Sequence, residues 1–326
     1  MSMSDALPPV QNLPAAHHSP VSRRQGSRPS ARRTAWIRRL PLLPALIYMI
    51  VVTQVPFLVT VWYSFRGWNS QVPGSNKFVG FKSYSAVLSD PMFRSAAVVT
   101  VEMTASAVIL SMLLGTSLAI LINRKFRGRG IVRTMLITPF LVIPVATGLL
   151  FQTTIYGNYF GILDWIVGWF GISQVTWVST FALPSVVAVL VWEWTPFMML
   201  IVLAGLQSES LEALEAARVD GANAFQTFVS ITFPHLRRYI ELGLLLGSIY
   251  IVQTFGEIFI LTQGAGGSNG AATTNFAYYI YKQVYNAFNY SQGSAAGVIV
   301  VIATEIVAAF TLRLLSGLFQ AAESMS

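Results

Sequence analysis

Six long apolar stretches run through the chain, and polar segments separate them. Crossing a hydrocarbon core of about 30 Å takes about 20 helical residues, so each stretch is long enough to span a membrane. The runs are continuously apolar and lack the alternation of a membrane β-barrel. The pattern predicts an all-α integral membrane protein with six transmembrane helices, near residues 40–65, 96–122, 132–154, 183–206, 239–261 and 295–318.

Composition supports this class and argues against others. Hydrophobic residues make up 54% of the 326 residues and charged residues only 10%, so much of the chain needs lipid around it. Cysteine is absent, which excludes disulfides, thiolate metal sites and a cysteine nucleophile. A membrane enzyme would need convergent catalytic groups, yet the only histidines are His17, His18 and His235. We expect no catalytic or metal-binding residues, and we interpret His235 as a capping or packing residue.

Lysine and arginine indicate the orientation, because they are retained on the cytoplasmic side of a membrane. With the N-terminus inside, sixteen of the 21 basic residues fall on inner segments. The other five are Arg66, Lys77, Lys82, Arg94 and Lys282. Both termini are therefore predicted to be cytoplasmic. The basic residues flank spans instead of forming a folded face with stacking aromatic residues, so we expect no nucleic-acid partner.

Three segments outside the spans have distinct compositions. Residues 1–39 are rich in Pro, Ser, Ala and Arg, which predicts a disordered cytoplasmic tail whose arginines meet anionic lipid. The membrane domain then covers residues 40–318, and residues 319–326 form a cytoplasmic C-terminal tail. Apolar residues recur at helical spacing over 160–172, which is too short to span and predicts a helix along the outer interface. That helix either anchors the protein or closes the outer mouth of a pathway.

A polar inner loop, residues 207–238, shows the pattern of two short helices around a turn. Ser208 is placed to cap the first helix, and Gly221 ends it because glycine adopts the left-handed conformation at low cost. Pro234 is expected to stop the second helix. Apolar side chains such as Phe225 would be exposed there, which requires either a covering partner or packing on the protein's own helices.

The same loop resembles the E-A-A-x3-G-x9-I-x-L-P signature of ABC importer permeases, with Phe233 in place of the Leu. In that family the loop is a cytoplasmic coupling helix-turn-helix that docks in a cleft of the ATPase subunit. The resemblance assigns ATPase coupling here to Glu215, Ala216, Ala217, Asp220, Gly221, Ala222, Phe225, Phe228, Ile231 and Pro234.

Most of residues 40–318 resembles the carbohydrate permeases of this family. The matching runs are Trp192-Glu193-Trp194-Thr195-Pro196-Phe197, Phe255-Gly256-Glu257-Ile258 and Thr273-Thr274-Asn275. The last two runs resemble sorbitol and mannitol permeases in particular, and the long N-terminal tail resembles the maltose-type first permease. The resemblance implies a type I importer permease fold in the bacterial inner membrane. It also implies import of a sugar alcohol or a small oligosaccharide by alternating access.

The resemblance further implies the rest of an assembly. Its members would be a second permease subunit, a cytoplasmic ATPase dimer and an extracytoplasmic substrate-binding protein, all associated with membrane lipid. We expect no cofactor on this chain, which has no Walker Gly-Lys-Ser/Thr loop, and we expect ATP and Mg to be bound by the ATPase. Alternating access requires a shift between two conformational states. Moving such an equilibrium from 1:99 to 99:1 takes about 5.5 kcal/mol, which ATP binding in a partner can supply.

Polar side chains inside the predicted spans are candidates for a substrate pathway, because burying an ionisable group there costs on the order of 3 kcal/mol. Carboxylate and amide oxygens hydrogen-bond hydroxyl groups, and tryptophan faces cover the apolar surface of a sugar. A kink at Pro196 would open room in the fourth span. The candidates are Trp192, Glu193, Trp194, Gln253, Glu257 and Gln152. Alternatively these groups only bond neighbouring helices, which is the role we expect for Glu102 and Glu305.

A second class of transporter remains open. A secondary transporter would run on an ion gradient and would need no ATPase. Such proteins often contain inverted internal repeats, which are not evident in this sequence. The inner loop and its resemblance therefore favour the ATP-driven class.

Overall fold

The computed structural model is helical almost throughout the part of the chain that it describes. Apart from helices and turns, those residues form only two isolated bridge pairs. The prediction of an all-α protein is therefore confirmed. The predicted tail over residues 1–39 lies outside the described residues, which are 43–158, 160–172, 175–263 and 272–323.

The first eight helices precede the inner loop. They are α1 (Leu43–Ser64), α2 (Lys82–Ser89), α3 (Pro91–Asn123), α4 (Arg129–Ile137), α5 (Pro144–Leu150), α6 (Ile162–Gly168), α7 (Trp177–Thr180) and α8 (Ala182–Gln207). A 3₁₀ turn, Thr138–Leu141, extends α4, and a π-helical turn, Phe151–Ile155, extends α5. Among the described residues, those up to Val55 belong to one unit and those from Pro56 onward belong to a second.

The remaining helices include the inner loop and the last predicted spans. They are α9 (Leu211–Val219), α10 (Ala224–Thr227), α11 (Phe233–Ile251), α12 (Gly256–Gln263), α13 (Phe276–Tyr281) and α14 (Tyr290–Glu323). π-Helical turns, Phe228–Thr232 and Lys282–Asn286, follow α10 and α13. Helix α14 extends past the predicted sixth span, because it continues to Glu323.

Length and hydropathy identify the membrane-spanning elements among the described residues. Helices α1, α3 and α8 are each long and apolar enough to cross a bilayer. Two bent pairs meet the same test together, and counting each pair as one span brings the total to five. The sixth apolar stretch lies within α14. The count of six spans therefore stays a prediction.

Helix α8 is the most enclosed of the spans, and glycines on its neighbours let it pack closely. In its most apolar window 61% of the residues are buried, against 39% for α3. A Cβ added to Gly115 of α3 would lie 2.7 Å from Met198 Cβ and 2.8 Å from the Met199 backbone nitrogen. On α11, a Cβ at Gly247 would overlap Met198 Cε. Such small residues are the usual means by which membrane helices approach each other.

The third apolar stretch is broken where a single span was expected. The segments Arg129–Leu141 and Pro144–Ile155 meet at 100°. Val142 and Ile143 between them are extended, with ψ of 140° and 136°. Pro144 explains the break, because proline disfavours helical geometry in the preceding residue and itself lacks an N–H group.

The fifth apolar stretch is also broken, and the two breaks pack against each other. The segments Ala224–Ile251 and Gly256–Thr262 meet at 51°. A Cβ added to Gly256 would lie 3.1 Å from Pro144 Cβ. Helices α5 and α12, which follow the two breaks, therefore run in close contact.

We predict that Gly115→Ala destabilises the protein. The added methyl group would overlap the side chain of Met198 and the backbone of Met199. Overpacking of this kind costs about 1–3 kcal/mol of folding free energy. Alanine is favoured over glycine in a helix by only about 1 kcal/mol, so a net loss of stability is expected. Thermal unfolding in detergent, followed by tryptophan fluorescence, measures the loss.

Gly130→Ala is the matched control, because a Cβ at Gly130 of α4 has no other atom within 4 Å. It should leave the unfolding temperature unchanged or raise it slightly. An unfolding temperature for Gly115→Ala equal to that of Gly130→Ala would contradict the close approach of α3 and α8.

Candidate functional site

Two buried carboxyl groups meet in the interior of the helical bundle. Glu193 of α8 is 5% exposed and Glu257 of α12 is 3% exposed. Their side chains hydrogen-bond to each other. The second carboxyl oxygen of Glu193, Oε2, is buried and has no hydrogen-bond partner. Two of the predicted pathway residues are therefore adjacent, and one of them has an acceptor atom to spare.

The positions of these two residues follow from the helices that carry them. Glu257 lies in the first turn of α12, directly after the break, where the helix dipole favours a carboxyl group. Glu193 lies in the middle of α8. This helix continues from Ala182 to Gln207 without a break at Pro196, and the breaks lie instead in the third and fifth apolar stretches.

Trp194, the residue after Glu193, belongs to a group of packed aromatic rings. The rings of Trp194 and Tyr250 are stacked, with centroids 5.7 Å apart and planes at 22°. Phe140, from the break of the third stretch, lies 5.6 Å from Trp194 and 5.3 Å from Phe197. Trp192 instead contacts Phe151 edge to face, at 5.3 Å.

The two predicted glutamines differ in their surroundings. Gln152 donates from Nε2 to the carbonyl of Ile260 at 3.2 Å, which links the third stretch to α12. It also lines a cavity of about 100 Å³ with Tyr156. Gln253 is exposed, and its side chain bonds only the preceding helix, donating to the carbonyl of Ile249 on α11 at 3.0 Å. It lies after the end of α11 and not on the helix of Glu257, because the chain bends there.

Glu102 and Glu305 are both exposed on the surface of the described chain. The expectation that they bond neighbouring helices is therefore wrong within this subunit. Each lies inside a predicted span, on α3 and α14, where an uncovered ionisable group is costly. A further membrane component covering that surface would remove the cost.

Asn275 supports the break next to Glu257. Its side-chain nitrogen donates to the carbonyl of Thr254, which lies in the break. Its Oδ1 accepts a hydrogen bond at 3.0 Å from the backbone N–H of Tyr278 and so caps α13. Asn275 is fully buried. Asn275 thus satisfies a backbone carbonyl that the irregular segment leaves free.

Helix α13 is fixed at the same end of the bundle by two further side chains. The Tyr279 hydroxyl donates to Asp90 Oδ2 at 2.7 Å. Burial and the adjacent Asp90 carboxylate raise the pKa of Tyr279, so the phenol stays protonated. Lys282 donates to Thr274 Oγ1 at 3.0 Å and lies 4.8 Å from the centroid of the Tyr278 ring. Burial lowers the pKa of Lys282.

The first helix of the inner loop, α9, begins later than expected. Its cap is Ser210, whose hydroxyl accepts from the backbone N–H of Ala213 at 3.4 Å. Ser208 is not the cap, because its hydroxyl donates to the carbonyl of Gly205 at the end of α8. Gly221 does end the helix, as expected, with φ of +80°. The backbone N–H of Ala222 closes the turn on Ala217.

The second half of the loop runs directly into the next span. Asn223 caps α10 in a capping box with Gln226, with both bonds at 2.9 Å. The sequence interpretation missed this cap, although the N-x-x-Q spacing was a usable signal. The expectation that Pro234 stops the helix is wrong. Pro234 lies in the first turn of α11, where a missing N–H group is tolerated.

The coupling residues taken from the family signature lie on both parts of this loop. Glu215, Ala216, Asp220, Phe225 and Pro234 are exposed, Ala217 is buried, and Ala222, Phe228 and Ile231 are half-buried. Large apolar side chains are exposed here outside the predicted spans, with Leu211 at 73%, Val219 at 87% and Phe225 at 76%. The protein's own helices do not cover them, which favours a partner over packing on the bundle.

The predicted outer interfacial segment contains a short helix. Helix α6 covers Ile162–Gly168, and Trp165 and Trp169 contact each other edge to face at 4.4 Å. Both tryptophans are exposed, at 62% and 69%. Asp164 accepts a hydrogen bond from Trp177 Nε1 at 2.7 Å, which ties the segment to α7. Whether α6 anchors the protein or closes a pathway stays a prediction.

The fold and these two regions define a polytopic helical membrane component with an exposed, partly apolar loop. Residues 105–321 match the model of the family described as binding-protein-dependent transport system inner membrane component. The chain belongs to this family of ABC importer permeases.

Relatives and a solved structure agree with that assignment. The chain is 37% identical over 278 residues to the probable ABC transporter permease protein y4oQ of Sinorhizobium fredii, covering 84% of this chain and 89% of the relative. It is 33% identical to the trehalose/maltose transport system permease protein MalF of Thermococcus litoralis, covering 86% and 92%. It shares its fold with a bacterial ABC transporter involved in alginate import, with a TM-score of 0.75, 21% identity and coverage of 87% and 96%.

We predict that Asn275→Ala destabilises the protein by about 2–4 kcal/mol, because it removes two hydrogen bonds and leaves a buried carbonyl unpaired. The carbonyl is that of Thr254. Thermal or denaturant unfolding in detergent measures the change.

Gln253→Ala is the control, since it removes one exposed hydrogen bond within a single helix. Its effect should stay within about 0.5 kcal/mol. Equal effects of the two substitutions would show that Asn275 does not support the break.

Proposed function

We propose that this chain is the sugar-translocating membrane subunit of an ATP-driven importer. The observation that carries the proposal is the exposed apolar loop with the family's coupling signature, placed between the two helices that lead to Glu193 and Glu257. A cytoplasmic ATPase dimer, which binds ATP and Mg, docks on this loop and drives alternating access. The loop and both termini then face the cytoplasm.

The loop has the properties of a docking element. Helix α9 is capped at both ends, by Ser210 and by the turn at Gly221, so it holds its shape without lipid. Its surface combines exposed Leu211 and Val219 with the carboxylates of Glu212 and Glu215. An apolar centre with charged surroundings suits a specific protein contact.

We predict that Gly221→Val uncouples the ATPase while the protein still inserts. A side chain at φ of +80° costs about 1–2 kcal/mol and disturbs the turn between α9 and α10. ATPase copurification and sugar uptake should both fall at least about tenfold, since one turn positions both helices of the docking surface. Pull-down and vesicle uptake with the same preparations measure the two effects.

Gly128→Val is the matched control, because Gly128 also has a positive φ, +84°, in a predicted inner loop. It introduces the same kind of strain outside the coupling loop and should retain ATPase binding. Unchanged uptake in Gly221→Val would remove the loop from the coupling mechanism.

The substrate class follows from the carboxyl pair and its aromatic neighbours. Glu193 Oε2 is free to accept a hydroxyl, and the stacked rings of Trp194 and Tyr250 offer a flat apolar face. The relative in Thermococcus litoralis is a trehalose/maltose permease, which supports a sugar or small oligosaccharide. A sugar alcohol has the same hydroxyl chemistry and belongs in the same uptake panel.

We predict that Glu193→Ala and Trp194→Ala each weaken uptake by on the order of tenfold, because each removes a hydrogen-bonding or stacking contact with the sugar. ATPase binding should persist. Uptake of labelled trehalose, maltose, mannitol and sorbitol into vesicles measures the effect and identifies the accepted class.

Trp62→Ala is the control, since Trp62 is an exposed tryptophan of α1 away from the carboxyl pair. Normal uptake of every accepted sugar by Glu193→Ala and Trp194→Ala would exclude these residues from the pathway.

A second permease subunit and a substrate-binding protein complete the proposed assembly. Exposed Glu102 and Glu305 neighbour a groove of about 210 Å³ lined by residues of α3, α11, α13 and α14, including Val101 and Thr304. A second membrane subunit on this surface would cover both carboxyl groups. The family description itself names dependence on a binding protein.

The buried carboxyl pair also favours a second candidate, an ion-gradient-driven transporter. Intramembrane acids are the groups that relay protons in such proteins. Uptake driven by a proton gradient in vesicles without ATP would identify this class. Uptake that requires ATP and survives a protonophore would exclude it.

A further inference from the structure

Three polar side chains join the end of α8 to the start of α11. Ser208 Oγ lies 2.7 Å from the Tyr239 hydroxyl and 3.1 Å from His235 Nε2. The same nitrogen of His235 lies 3.1 Å from the carbonyl oxygen of Gly205. Ser208 Oγ also donates to that carbonyl, at 2.9 Å. We call Ser208, His235 and Tyr239 the junction.

The absence of a side chain at Gly205 allows α11 to lie this close to the end of α8. A Cβ at Gly205 would lie 2.6 Å from Tyr239 Cδ2 and 2.9 Å from Leu236 Cδ2. The Tyr239 ring therefore rests directly on the backbone of α8, with its hydroxyl at Ser208. The side chains of Ser208 and His235 both bond one helix-end carbonyl, that of Gly205, which a free helix end would expose to water.

The junction lies where the two ends of the coupling loop meet the helical bundle. Ser208 is followed by Glu209 and then by Ser210, the cap of α9. His235 follows Pro234, the last residue of the coupling signature. The loop therefore leaves the bundle at Ser208 and returns to it at His235, and these two side chains are in contact.

The two helices joined here also carry the two carboxyl groups of the candidate substrate site. Glu193 lies on α8, fifteen residues before Ser208, which is roughly 22 Å along the helix. Helix α11 leads through the break into α12, which begins at Gly256 and carries Glu257. A displacement at the junction therefore reaches Glu193 through continuous helical backbone, and it reaches Glu257 through α11 and the short break before α12.

We propose that Ser208, His235 and Tyr239 are positioning residues that make α8 and α11 move together when the ATPase displaces the coupling loop. This inference rests on the proposed function. With the junction intact, force on the loop moves both helices together and changes the relative position of Glu193 and Glu257. With the junction broken, α9 and α10 still dock on the ATPase, but the two helices respond separately.

The test uses the complete transporter in proteoliposomes, with wild type compared to Ser208→Ala, Tyr239→Phe and the double variant. Measured quantities are ATP hydrolysed, copurified ATPase, and uptake of labelled trehalose or of the panel sugar that the wild type accumulates. We expect sugar transported per ATP to fall about fivefold in each single variant, the factor for one neutral hydrogen bond. Copurified ATPase should stay unchanged. The double variant should show no further loss, because both substitutions break the same contact.

Matched variants separate positioning from general damage. Ser208→Thr keeps the hydroxyl and should restore the ratio, and Tyr239→Phe keeps the ring on Gly205. Ser117→Ala removes a hydroxyl that bonds only within its own helix, to the carbonyl of Leu113, and should leave the ratio unchanged.

Two results would overturn the inference. One is a wild-type ratio of transport to hydrolysis in both single variants. The other is a parallel loss of hydrolysis, uptake and bound ATPase, which would indicate a purely structural role. Failure of the proposed function is distinguishable, because the unmodified chain would then retain no ATPase.

Discussion

Close packing of α8 against α3 and α11 is the constraint on which the rest of the structure depends. Membrane helices gain little from the hydrophobic effect when they associate, so direct van der Waals contact must hold them together. Glycines provide that contact at Gly115, Gly205 and Gly247, where Met198 or Tyr239 fills the space of a missing side chain. These contacts fix the middle and the C-terminal end of α8. The C-terminal end anchors the coupling loop, and the middle presents Glu193 to Glu257.

The irregular backbone near the carboxyl pair has a physical explanation in the same packing. Unpaired backbone groups are costly in a bilayer and persist only where protein or a cavity satisfies them. The breaks at Pro144 and Gly256 pack on each other, and Asn275 bonds the carbonyl of Thr254. The bundle thus holds both breaks by direct protein contacts, next to the buried Glu257.

The sequence predicted those features that depend on local chemistry. Apolar length located α1, α3, α8 and the two bent pairs, and the lack of a Cβ at Gly221 located the turn of the coupling loop. Features decided by tertiary contacts were missed. Ser208 and Ser210 are equally good local caps, and only the bonds of Ser208 to His235 and Tyr239 decide between them. Pro234 is tolerated because a π-helical turn precedes it. The breaks had a readable signal in Pro139, Pro144 and Gly256, whereas the partnership of Glu193 with Glu257 had none, since 64 residues separate them.

The central claim is that nucleotide at the coupling loop changes access to the carboxyl pair. The chain has no cysteine, so Trp194→Cys would introduce a single thiol beside Glu193. The measurement is the rate at which a membrane-impermeant thiol reagent modifies this residue in the assembled transporter, with and without a non-hydrolysable ATP analogue. We expect the modification rate to change by about tenfold or more, because alternating access shifts the populations of the two conformational states by at least that factor. Equal rates in both conditions would contradict the account.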